Sequence, residues 1–596
     1  MQDFPAYSEI AGMLTERGAD KLPRLNVSVL SNIVVESLDA YLQYLACEIG
    51  FQAVVQFGQY DHVFQESVGG SPELLNESTD CVLVFPYLEA LSPLLTTRFA
   101  SASESDIRQE ITRLREYVKA VANGIRKQTG ASVIWHSFEM PSYPALGIFD
   151  WQTDRGQSQV IGDLNRHVRD ILRGVPGCYL LDMNACLARV GQAAFYDPRY
   201  WHMARAPYSR AALRQVALQD FVFVRSMKGK NKKCLVLDCD NTLWGGIIGE
   251  DGLAGIKLAE VYPGSPYQEF QQEILNLYHR GVILALCSKN NESDVWEAFD
   301  RHPGMVLKRE HIAAAQINWE DKAVNLRQIA SDLNIGLDSL VFVDDSDFEV
   351  NLVRQMLPAV DVIHLPKDRA IEFRSLLAGC GLFDSLSLSA EDRQRGAMYK
   401  MEASRRKLRS QTTSLAEYLR SLEMVLRIDF ATPLTVPRVA QQTQRTNQFN
   451  LTTRRYSEAE ISRFVQSDSA DVLTVQLSDR LGDLGIIGVC ILCYDGPVAT
   501  VDTLLLSCRA LGRGVEEVFL RHVLVCAQRH GCSHVAGRYI RTPKNAQVED
   551  FYPRNGFAER PAQGGEEERV FDYQFAGVVS LDAGPFKEVH STMEAR

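Results

Sequence analysis

Short apolar runs alternate with amphipathic stretches over residues 24–210. The runs of strand type cover 26–30, 51–55, 81–85, 132–135 and 178–182. Near 104–127, apolar residues recur at helical spacing at positions 107, 111, 114, 118 and 121. Ser31 follows the first run and is expected to cap a helix that runs through Leu38 to Ile49. Alternating strands and helices predict an α/β domain with a parallel sheet.

Apolar runs at 234–237, 282–287 and 340–343 form a second set, and each ends on polar residues. The residues that follow them are Asp238, Asp240 and Thr242, then Ser288, then Asp344 and Asp345. Open α/β sheets carry their chemistry beyond the carboxyl ends of the strands. Two carboxylates two residues apart repel each other unless a cation or a proton lies between them. This pattern favours a Mg²⁺ site with Asp238 as nucleophile and Asp240 as general acid/base. The alternative is a solvated Asp-x-Asp-Asn turn after an edge strand.

Lys322, at the start of a helical pattern, completes four motifs in order. Together they resemble the haloacid dehalogenase (HAD) phosphohydrolase superfamily over roughly residues 231–380. The resemblance implies a Rossmann-like sheet and an aspartyl-phosphate on Asp238. It also implies Mg²⁺ held by Asp238, the Asp240 backbone carbonyl and Asp344, with Asp345 beside them. Ser288 and Lys322 would hold the phosphoryl oxygens, and Thr242 and Asn290 would line the substrate.

The flanking residues, Asp-Cys-Asp-Asn-Thr-Leu-Trp-Gly-Gly and Leu-Cys-Ser-Lys-Asn-Asn-Glu among them, resemble the FkbH-like branch. That branch makes glyceryl-acyl-carrier-protein for polyketide pathways. The resemblance implies that the chain takes the glyceryl unit of 1,3-bisphosphoglycerate, removes phosphate and loads an acyl carrier protein. The intervals 242–288 and 288–322 are too short for a large cap domain, so we expect an open site that suits a tethered substrate. The alternatives are a stand-alone phosphatase of a sugar phosphate or phosphoprotein, and a carrier-protein docking scaffold.

Residues 423–575 predict a third α/β domain, with strands at 425–430, 484–493 and 501–506. A glycine-containing turn, Arg509-Ala-Leu-Gly512-Arg513-Gly514, precedes a helix whose free backbone N–H groups can bind phosphate. This turn resembles the pyrophosphate loop of GNAT acyltransferases, and the segment from Asn545 to Tyr552 and Phe557 resembles that family's closing motif. The resemblance implies that the loop takes a phosphopantetheine arm. The alternative is a simple helix-capping turn.

Three cysteines lie beside these motifs and are candidates for an acyl-carrying thiolate. Cys508 precedes a basic turn at a helix amino terminus, which lowers a thiol pKa. Cys239 lies between two aspartates, which would raise its pKa, and Cys287 precedes Ser288. Free cysteines are most often small buried core residues, and this remains the alternative for all three.

The first domain resembles SGNH hydrolases in its order of elements. Ser31 follows the first strand, and Asp197 and His202 lie late in the domain, as an acid and a base would. The local sequences, Leu-Ser-Asn and Asp-Pro-Arg-Tyr-Trp-His, depart from the usual motifs of that family. We therefore expect a scaffold or a carrier-docking domain rather than a hydrolase.

Composition limits the remaining possibilities for the 596 residues. The formal charge of −12 argues against a nucleic-acid partner, and no apolar stretch is long enough for a membrane span. The amino terminus has no signal-peptide pattern, and no Cys-x-x-Cys pair among the 13 cysteines suggests zinc, so we expect reduced thiols in the cytoplasm. The expected domains are 1–224, 231–385 and 423–575, with a helical connector at 386–422 and a tail at 576–596. Ser389 and Asp392 form a capping-box pattern in the connector.

Overall fold

The computed structural model of the protein describes residues 4–388, 401, 405, 414–507, 510–542, 544–560 and 568–592. The chain divides into two compact units, Met1–Lys230 and Asn231–Arg596. Ser389 and Asp392 of the expected connector lie outside the described residues. In the part of the chain that is described, no helix has the length and apolar character needed to cross a membrane.

The first unit is built on a parallel sheet of five strands in the order β2-β1-β3-β4-β5. The strands are β1 Arg24–Ser31, β2 Gln52–Phe57, β3 Cys81–Phe85, β4 Ser132–His136 and β5 Cys178–Leu181. The α-helices are Ile10–Glu16, Leu38–Glu48, Leu88–Leu91, Glu104–Gln128, Gln157–Arg173, Met183–Val190, Gln192–Phe195, Pro198–Ala204 and Arg210–Met227. Two separate apolar cores contain residues of this sheet, one with helices Leu38–Glu48 and Arg210–Met227, the other with Glu104–Gln128 and Gln157–Arg173. This is the parallel α/β architecture that the alternating pattern predicts.

One local expectation for the first unit is wrong. Ser31 is the last residue of β1, and the next helix begins at Leu38, so Ser31 caps no helix. Its hydroxyl instead accepts a hydrogen bond from the Ile33 N–H (3.1 Å). The last helix of this unit ends at Met227, beyond the boundary expected at 224.

The central part of the second unit, residues 231–388, contains a parallel sheet in the order β10-β9-β6-β7-β8. Its strands are β6 Cys234–Leu237, β7 Ile283–Ser288, β8 Ile312–Ile317, β9 Leu340–Asp344 and β10 Asp361–His364. Its α-helices are Ile248–Gly255, Ser265–His279, Glu292–Arg301, Lys322–Leu333, Asp347–Met356 and Phe373–Ala378. The strands β6, β7 and β9 are fully buried, because apolar cores cover both faces of the sheet.

The carboxy-terminal part, residues 414–592, is organised by a mixed sheet in the order β17-β18-β16-β15-β14-β13-β11-β19, and β12 pairs with β15. The strands are β11 Val425–Phe430, β12 Phe449–Asn450, β13 Ala470–Asp479, β14 Gly482–Asp495, β15 Val498–Leu506, β16 His534–Ile540, β17 Ala558–Glu559, β18 Glu568–Gln574 and β19 Glu588–Ser591. Its α-helices are Leu415–Ser421, Val436–Arg445, Glu458–Gln466, Val515–Arg529 and Phe551–Arg554. The segment expected to be a tail contains β19, which pairs with β11 in parallel.

Candidate active site

Three adjacent parallel strands bring the predicted catalytic residues to one edge of the central sheet. β6 lies between β7 and β9, so Asp238 after β6 lies between Ser288 at the end of β7 and Asp344 at the end of β9. Asp238 is 6% exposed and Asp344 is fully buried. The sequence places these carboxylates here because each continues an apolar strand that the core holds in place.

Asp238, Asp344 and Asp345 form one carboxylate cluster. Each offers an oxygen, and these oxygens all lie within 4.8 Å of one another. Burial, together with repulsion from Asp238, raises the pKa of Asp344 to about 7 and that of Asp345 to about 6. Carboxylate oxygens are the ligands that Mg²⁺ takes in proteins. The residues therefore fit the metal site that the sequence predicts.

Lys322 bridges two members of this cluster. It is the first residue of helix Lys322–Leu333 and only 4% exposed. Its Nζ lies 2.8 Å from Asp238 Oδ1 and donates a hydrogen bond to Asp344 Oδ2 at 2.5 Å. Burial lowers the pKa of Lys322, but the two carboxylates outweigh burial and hold the pKa above its usual value. A fixed ammonium here can neutralise phosphoryl oxygens that arrive at Asp238.

The Asp240 side chain lies outside the carboxylate cluster. Its Oδ1 accepts hydrogen bonds from Trp244 Nε1 (2.9 Å) and the Ile248 N–H (3.1 Å), and its Oδ2 accepts one from Asn290 Nδ2 (3.0 Å). Burial raises the pKa of Asp240, while these hydrogen bonds lower it in part. A raised pKa suits a group that gives and takes a proton. The arrangement leaves only the Asp240 backbone carbonyl for the metal role that the HAD resemblance implies.

Ser288, Asn290 and Thr242 lie beneath or beside these groups. Ser288 is 1% exposed, and its Oγ accepts a hydrogen bond from Asn290 Nδ2 (3.1 Å). Thr242 is fully buried, and its Oγ1 has no hydrogen-bond partner among the described residues. Asn290 thus links Ser288 to Asp240. The sequence did not indicate a role for Trp244. Its hydrogen bond to Asp240 depends on how the segment after β6 folds.

No cap domain covers this edge among the described residues. The interval from Thr242 to Ser288 holds helices Ile248–Gly255 and Ser265–His279, and the next interval holds helix Glu292–Arg301 and β8. Three large aromatic side chains in loops or helix starts of this part of the chain are strongly exposed, namely Tyr262, Trp319 and Phe348. Tyr262 precedes helix Ser265–His279, Trp319 precedes Lys322, and Phe348 follows Asp345 closely. The sequence pattern did not predict that these rings are exposed.

Two of the candidate thiols are unsuited to form thiolates. Cys239 and Cys287 are fully buried and belong to apolar cores. Burial, with a further contribution from Asp238, raises the pKa of Cys239 well above its usual value. Burial also raises the pKa of Cys287. Cys508, the third candidate, lies outside the described residues, as does Arg509.

In the glycine turn before helix Val515–Arg529, a backbone N–H is already bonded to a glutamate side chain of the same chain. Gly512 and Gly514 have φ values of +71° and +78°, in the left-handed region that favours glycine. The Gly512 N–H donates to Glu516 Oε1 at 2.8 Å, so this N–H is already bonded to a carboxyl of the chain and is not open to a phosphate. Arg513 is 4% exposed, and its Nη1 lies 3.5 Å from Asp479 Oδ2, which also accepts a hydrogen bond from Arg405 Nε (2.7 Å).

The gap between β15 and β16 is also filled from within the chain. The two strands pair only from Val498 to Val501, and beyond this point β12 pairs with β15. The Leu451 N–H donates to Leu504 O (3.1 Å), and the Ile540 N–H donates to Leu451 O (2.8 Å). An arm that carries amides would need open strand edges here to pair as an added strand.

Asn545 and Tyr552 take part in this closed arrangement. Asn545 is fully buried and donates through Nδ2 to Asn450 O (2.9 Å). Tyr552 is 1% exposed, and its ring lies against Gly537, where an added Cβ would approach it to 2.4 Å. The described residues in this conformation therefore do not fit a phosphopantetheine arm, and no reaction step is assigned to this cleft.

The first unit does not assemble a hydrolase triad among its described residues. Ser31 Oγ accepts from the Ile33 N–H and donates to Phe85 O (3.5 Å). Asp197 caps helix Pro198–Ala204 and pairs with Arg199, and His202 is exposed. None of the described hydrogen bonds of Ser31 reaches a histidine or a carboxylate.

A different histidine–aspartate pair lies buried in this unit. His136 Nε2 lies 3.0 Å from Asp220 Oδ1, and His136 Nδ1 lies 2.9 Å from Val84 O. Burial raises the pKa of Asp220, whose Oδ2 has no hydrogen-bond partner among the described residues. Because Val84 O can only accept, Nδ1 carries a proton, and one further proton lies between Nε2 and Asp220. The pair is neutral overall wherever that proton resides.

Comparison with solved structures adds a phosphatase-containing neighbour. The N-terminal part of the protein BF1531 from Bacteroides fragilis, which contains a phosphatase domain and was crystallised with Mg, is 27% identical, with a TM-score of 0.57. It matches 64% of this chain and 100% of its own length. The similarity supports an α/β architecture with a phosphatase-type domain.

Acetyltransferases of the GNAT family match a smaller part of the chain. The GNAT domain of S. lividans PAT is 16% identical over 25% of this chain and 89% of its own, with a TM-score of 0.21. The ribosomal-protein-S18-alanine N-acetyltransferase from Escherichia coli is 17% identical over 26% of this chain and 96% of its own, also with a TM-score of 0.21. No protein-family model matches the chain, and no curated protein matches it.

Proposed function

We propose that the chain is a Mg²⁺-dependent phosphohydrolase with Asp238 as its nucleophile. The carboxylate cluster bridged by Lys322 carries this proposal. Closely spaced carboxylates beside one ammonium suit the binding of a divalent cation and a phosphoryl group. The neighbour from Bacteroides fragilis supports it, since that protein contains a phosphatase domain and was crystallised with Mg.

The reaction follows from the positions of the two aspartates. An Asp238 carboxylate oxygen attacks phosphorus, the bond from phosphorus to the leaving oxygen breaks, and Asp240 donates a proton to that oxygen. Asp240 then takes a proton from water, whose oxygen attacks the aspartyl-phosphate and releases inorganic phosphate. Lys322 and Ser288 hold the phosphoryl oxygens through both steps. When bound, Mg²⁺ supplies charge neutralisation at the transferred phosphoryl group.

For the substrate, we propose the phosphoglyceryl unit of 1,3-bisphosphoglycerate. A thiol displaces the acyl phosphate as inorganic phosphate, the Asp238 site removes the remaining phosphate ester, and the unit ends as a glyceryl thioester on an acyl carrier protein. The FkbH-like motifs support this choice. The open edge of the central sheet also supports it, because a small triose phosphate has little to hold it there, whereas a tethered group gains from proximity. Exposed Tyr262 and Trp319 offer apolar surface to whatever presents the substrate.

A stand-alone phosphatase is the second candidate function, and the burial of two candidate thiols favours it. Cys239 and Cys287 are buried with raised pKa values, so neither suits transient acylation. The closed cleft between β15 and β16 also favours a stand-alone phosphatase. A pure docking scaffold is disfavoured, because the carboxylate cluster and Lys322 form a complete phosphoryl site.

Intact-mass spectrometry of an acyl carrier protein separates these functions. We would incubate the enzyme, Mg²⁺, 1,3-bisphosphoglycerate and a carrier protein that bears phosphopantetheine. Wild-type enzyme should add a glyceryl mass to the carrier, and Asp238→Asn should add either nothing or a glyceryl group that still bears phosphate. Asp300→Asn is the matched control, because Asp300 is exposed and pairs only with Arg309 in the described contacts.

The possible outcomes point in different directions. Phosphate release from small phosphate esters without any label on the carrier would favour the stand-alone phosphatase. Unchanged phosphate release by Asp238→Asn would contradict the phosphohydrolase proposal itself.

A further inference from the structure

The second unit contains a cavity of about 230 Å³ between its central and carboxy-terminal parts. On the central side it is lined by Lys233, which precedes β6, and by Ser339, which precedes β9. These residues lie at the amino-terminal edge of the sheet, whereas Asp238 lies at the opposite edge. The cavity is therefore separate from the candidate active site.

The lining of this cavity is strongly basic. Lys233, Arg438, Arg445 and Lys544 all contribute to it, and Asp338 is the one carboxylate among the described lining residues. Asp338 pairs with Lys544, so its charge is already balanced. The chain as a whole has a formal charge of −12, so a local excess of cations runs against its overall composition. Clustered basic side chains at a concave surface raise the local concentration of anions.

Two further cations lie just behind the lining. Arg455 donates through Nη2 to Asn447 Oδ1 (2.8 Å), and Asn447 lines the cavity. Burial lowers the pKa of Arg455, and its buried Nη1 has no hydrogen-bond partner among the described residues. Lys232 donates to the backbone carbonyl of Asp338 (2.9 Å) and also pairs with Asp361 (2.6 Å), which balances its charge.

The pKa of the Asp338 carboxyl is affected by the basic side chains around it. Burial raises its pKa, but the hydrogen bond and charge of Lys544, with the charges of Lys232 and Lys233, hold the pKa below its usual value. The pKa of Asp338 thus agrees with the basic side chains that surround it at the cavity wall.

We propose that this cavity binds the phosphate group of a phosphorylated ligand. Arginine forks recognise phosphate through paired hydrogen bonds, and Arg438 and Arg445 supply two of them. Their described partners are neutral side chains, since Arg438 donates to Gln441 and Arg445 donates to Ser385 Oγ (2.8 Å). The side-chain amides of Gln441 and Asn447 can bind polar groups next to the phosphate. The volume is below the range of about 300–1,000 Å³ usual for whole ligands. The site thus suits a compact phosphate ester or the phosphate end of a longer molecule, such as a phosphopantetheine arm.

Calorimetric titration of the full chain tests this site. Inorganic phosphate, 3-phosphoglycerate and 4′-phosphopantetheine are titrated separately in the presence of a metal chelator, so that the Asp238 site holds no divalent ion. We expect saturable binding of at least one of the three, and about tenfold or greater weakening in the double variant Arg438→Gln/Arg445→Gln. Arg427→Gln is the matched control, because Arg427 is an exposed arginine of β11 that does not line the cavity.

The identity of the tightest ligand decides between a carrier arm and a free phosphate ester, and binding of either supports the site. Failure of all three ligands to bind the wild-type protein overturns it, as does wild-type affinity in the double variant. Thermal unfolding reports whether the double variant folds. If it does not, Lys544→Gln, at an exposed lining position, must weaken binding instead. Phosphate release is not measured here, so the proposed phosphatase can fail without affecting the result.

Discussion

Replacement of Lys322 by methionine removes the ammonium from the carboxylate cluster and keeps most of the side-chain volume. In the wild-type protein, one ammonium lies against three carboxylates, and it touches both Asp238 and Asp344 directly. Because Lys322 is only 4% exposed, water cannot take its place easily. Lys322→Met therefore leaves the cluster with no cation in contact unless a metal ion binds.

The expected cost is large in the absence of metal. Breaking a buried ion pair by removing one partner costs about 3–5 kcal/mol. Mg²⁺ should offset part of this loss, because an ion that binds only the folded protein stabilises it by about 2.7 kcal/mol at a hundredfold excess over its dissociation constant. The variant should thus gain more stability from Mg²⁺ than the wild type does, since its cluster has the greater need of a cation.

Urea unfolding of both proteins, with chelator and with saturating Mg²⁺, measures this difference. Lys308→Met is the matched control, because Lys308 is exposed and its loss should change the free energy of unfolding by no more than about 0.5 kcal/mol. Phosphate release by Lys322→Met should fall by about 10²–10³-fold, as for other losses of a transition-state donor. Equal stability of the two proteins in chelator, or normal phosphate release, would refute the reasoning.

Substitutions at four further positions probe the rest of the molecule. Asp238→Asn should abolish phosphate release because an amide is no nucleophile, and Asp240→Asn should form the phosphoenzyme poorly and hydrolyse it more slowly, seen as a slow gain and a slow loss of added mass; rapid turnover by either would contradict its role. Asp220→Ala should lower the free energy of unfolding by about 1–3 kcal/mol because it leaves the buried His136 Nε2 without its hydrogen-bond partner, with a smaller loss in Asp220→Asn; an unchanged free energy of unfolding in Asp220→Ala would show that the buried pair is dispensable. Ser31→Ala should leave phosphate release unchanged in a steady-state assay, and a folded but inactive variant would show that the first unit takes part in the chemistry.

The carboxylate cluster could be predicted from sequence because it depends on one rule. Apolar runs that end on Asp238, Ser288 and Asp344 become adjacent parallel strands, and the carboxyl ends of such strands share an edge. The same rule does not give side-chain orientation. Trp244 and Asn290 turn the Asp240 carboxylate away from the cluster, and that depends on how the segment after β6 folds back.

The misplaced helix at Ser31 has a simple physical cause. Residues 33–35 are apolar, and Ile33 and Val35 are buried, so they resemble the first turn of the helix that starts at Leu38. Ser31 remains in β1 because it pairs with Phe85 of β3, a partner more than fifty residues away. Local periodicity cannot report such a partner.

The carboxy-terminal part shows the same limit more strongly. β12 contains only two residues, and its place beside β15 depends on pairing across more than fifty positions. β19 joins β11 across more than 150 positions. The glycine turn itself is correctly located before its helix, but the sequence cannot show that Glu516 reaches back to the Gly512 N–H.

The segment that fills the gap between β15 and β16 acts as a tethered competitor for that gap. Three of the hydrogen bonds that hold it there are Leu451 N–H to Leu504 O, Ile540 N–H to Leu451 O, and Asn545 Nδ2 to Asn450 O. The pairing of β12 with β15 and a bond from Thr452 Oγ1 to Asp502 O (3.0 Å) add to them. At about 0.5–1.5 kcal/mol each, the first three alone favour the filled state by about 1.5–4.5 kcal/mol. A guest that pairs with the same strand edges would bind about one to three orders of magnitude more weakly than to an open gap, because only the small open population accepts it. A ligand that makes only these strand-edge contacts therefore binds weakly. A partner that makes further contacts with the protein can still displace the segment.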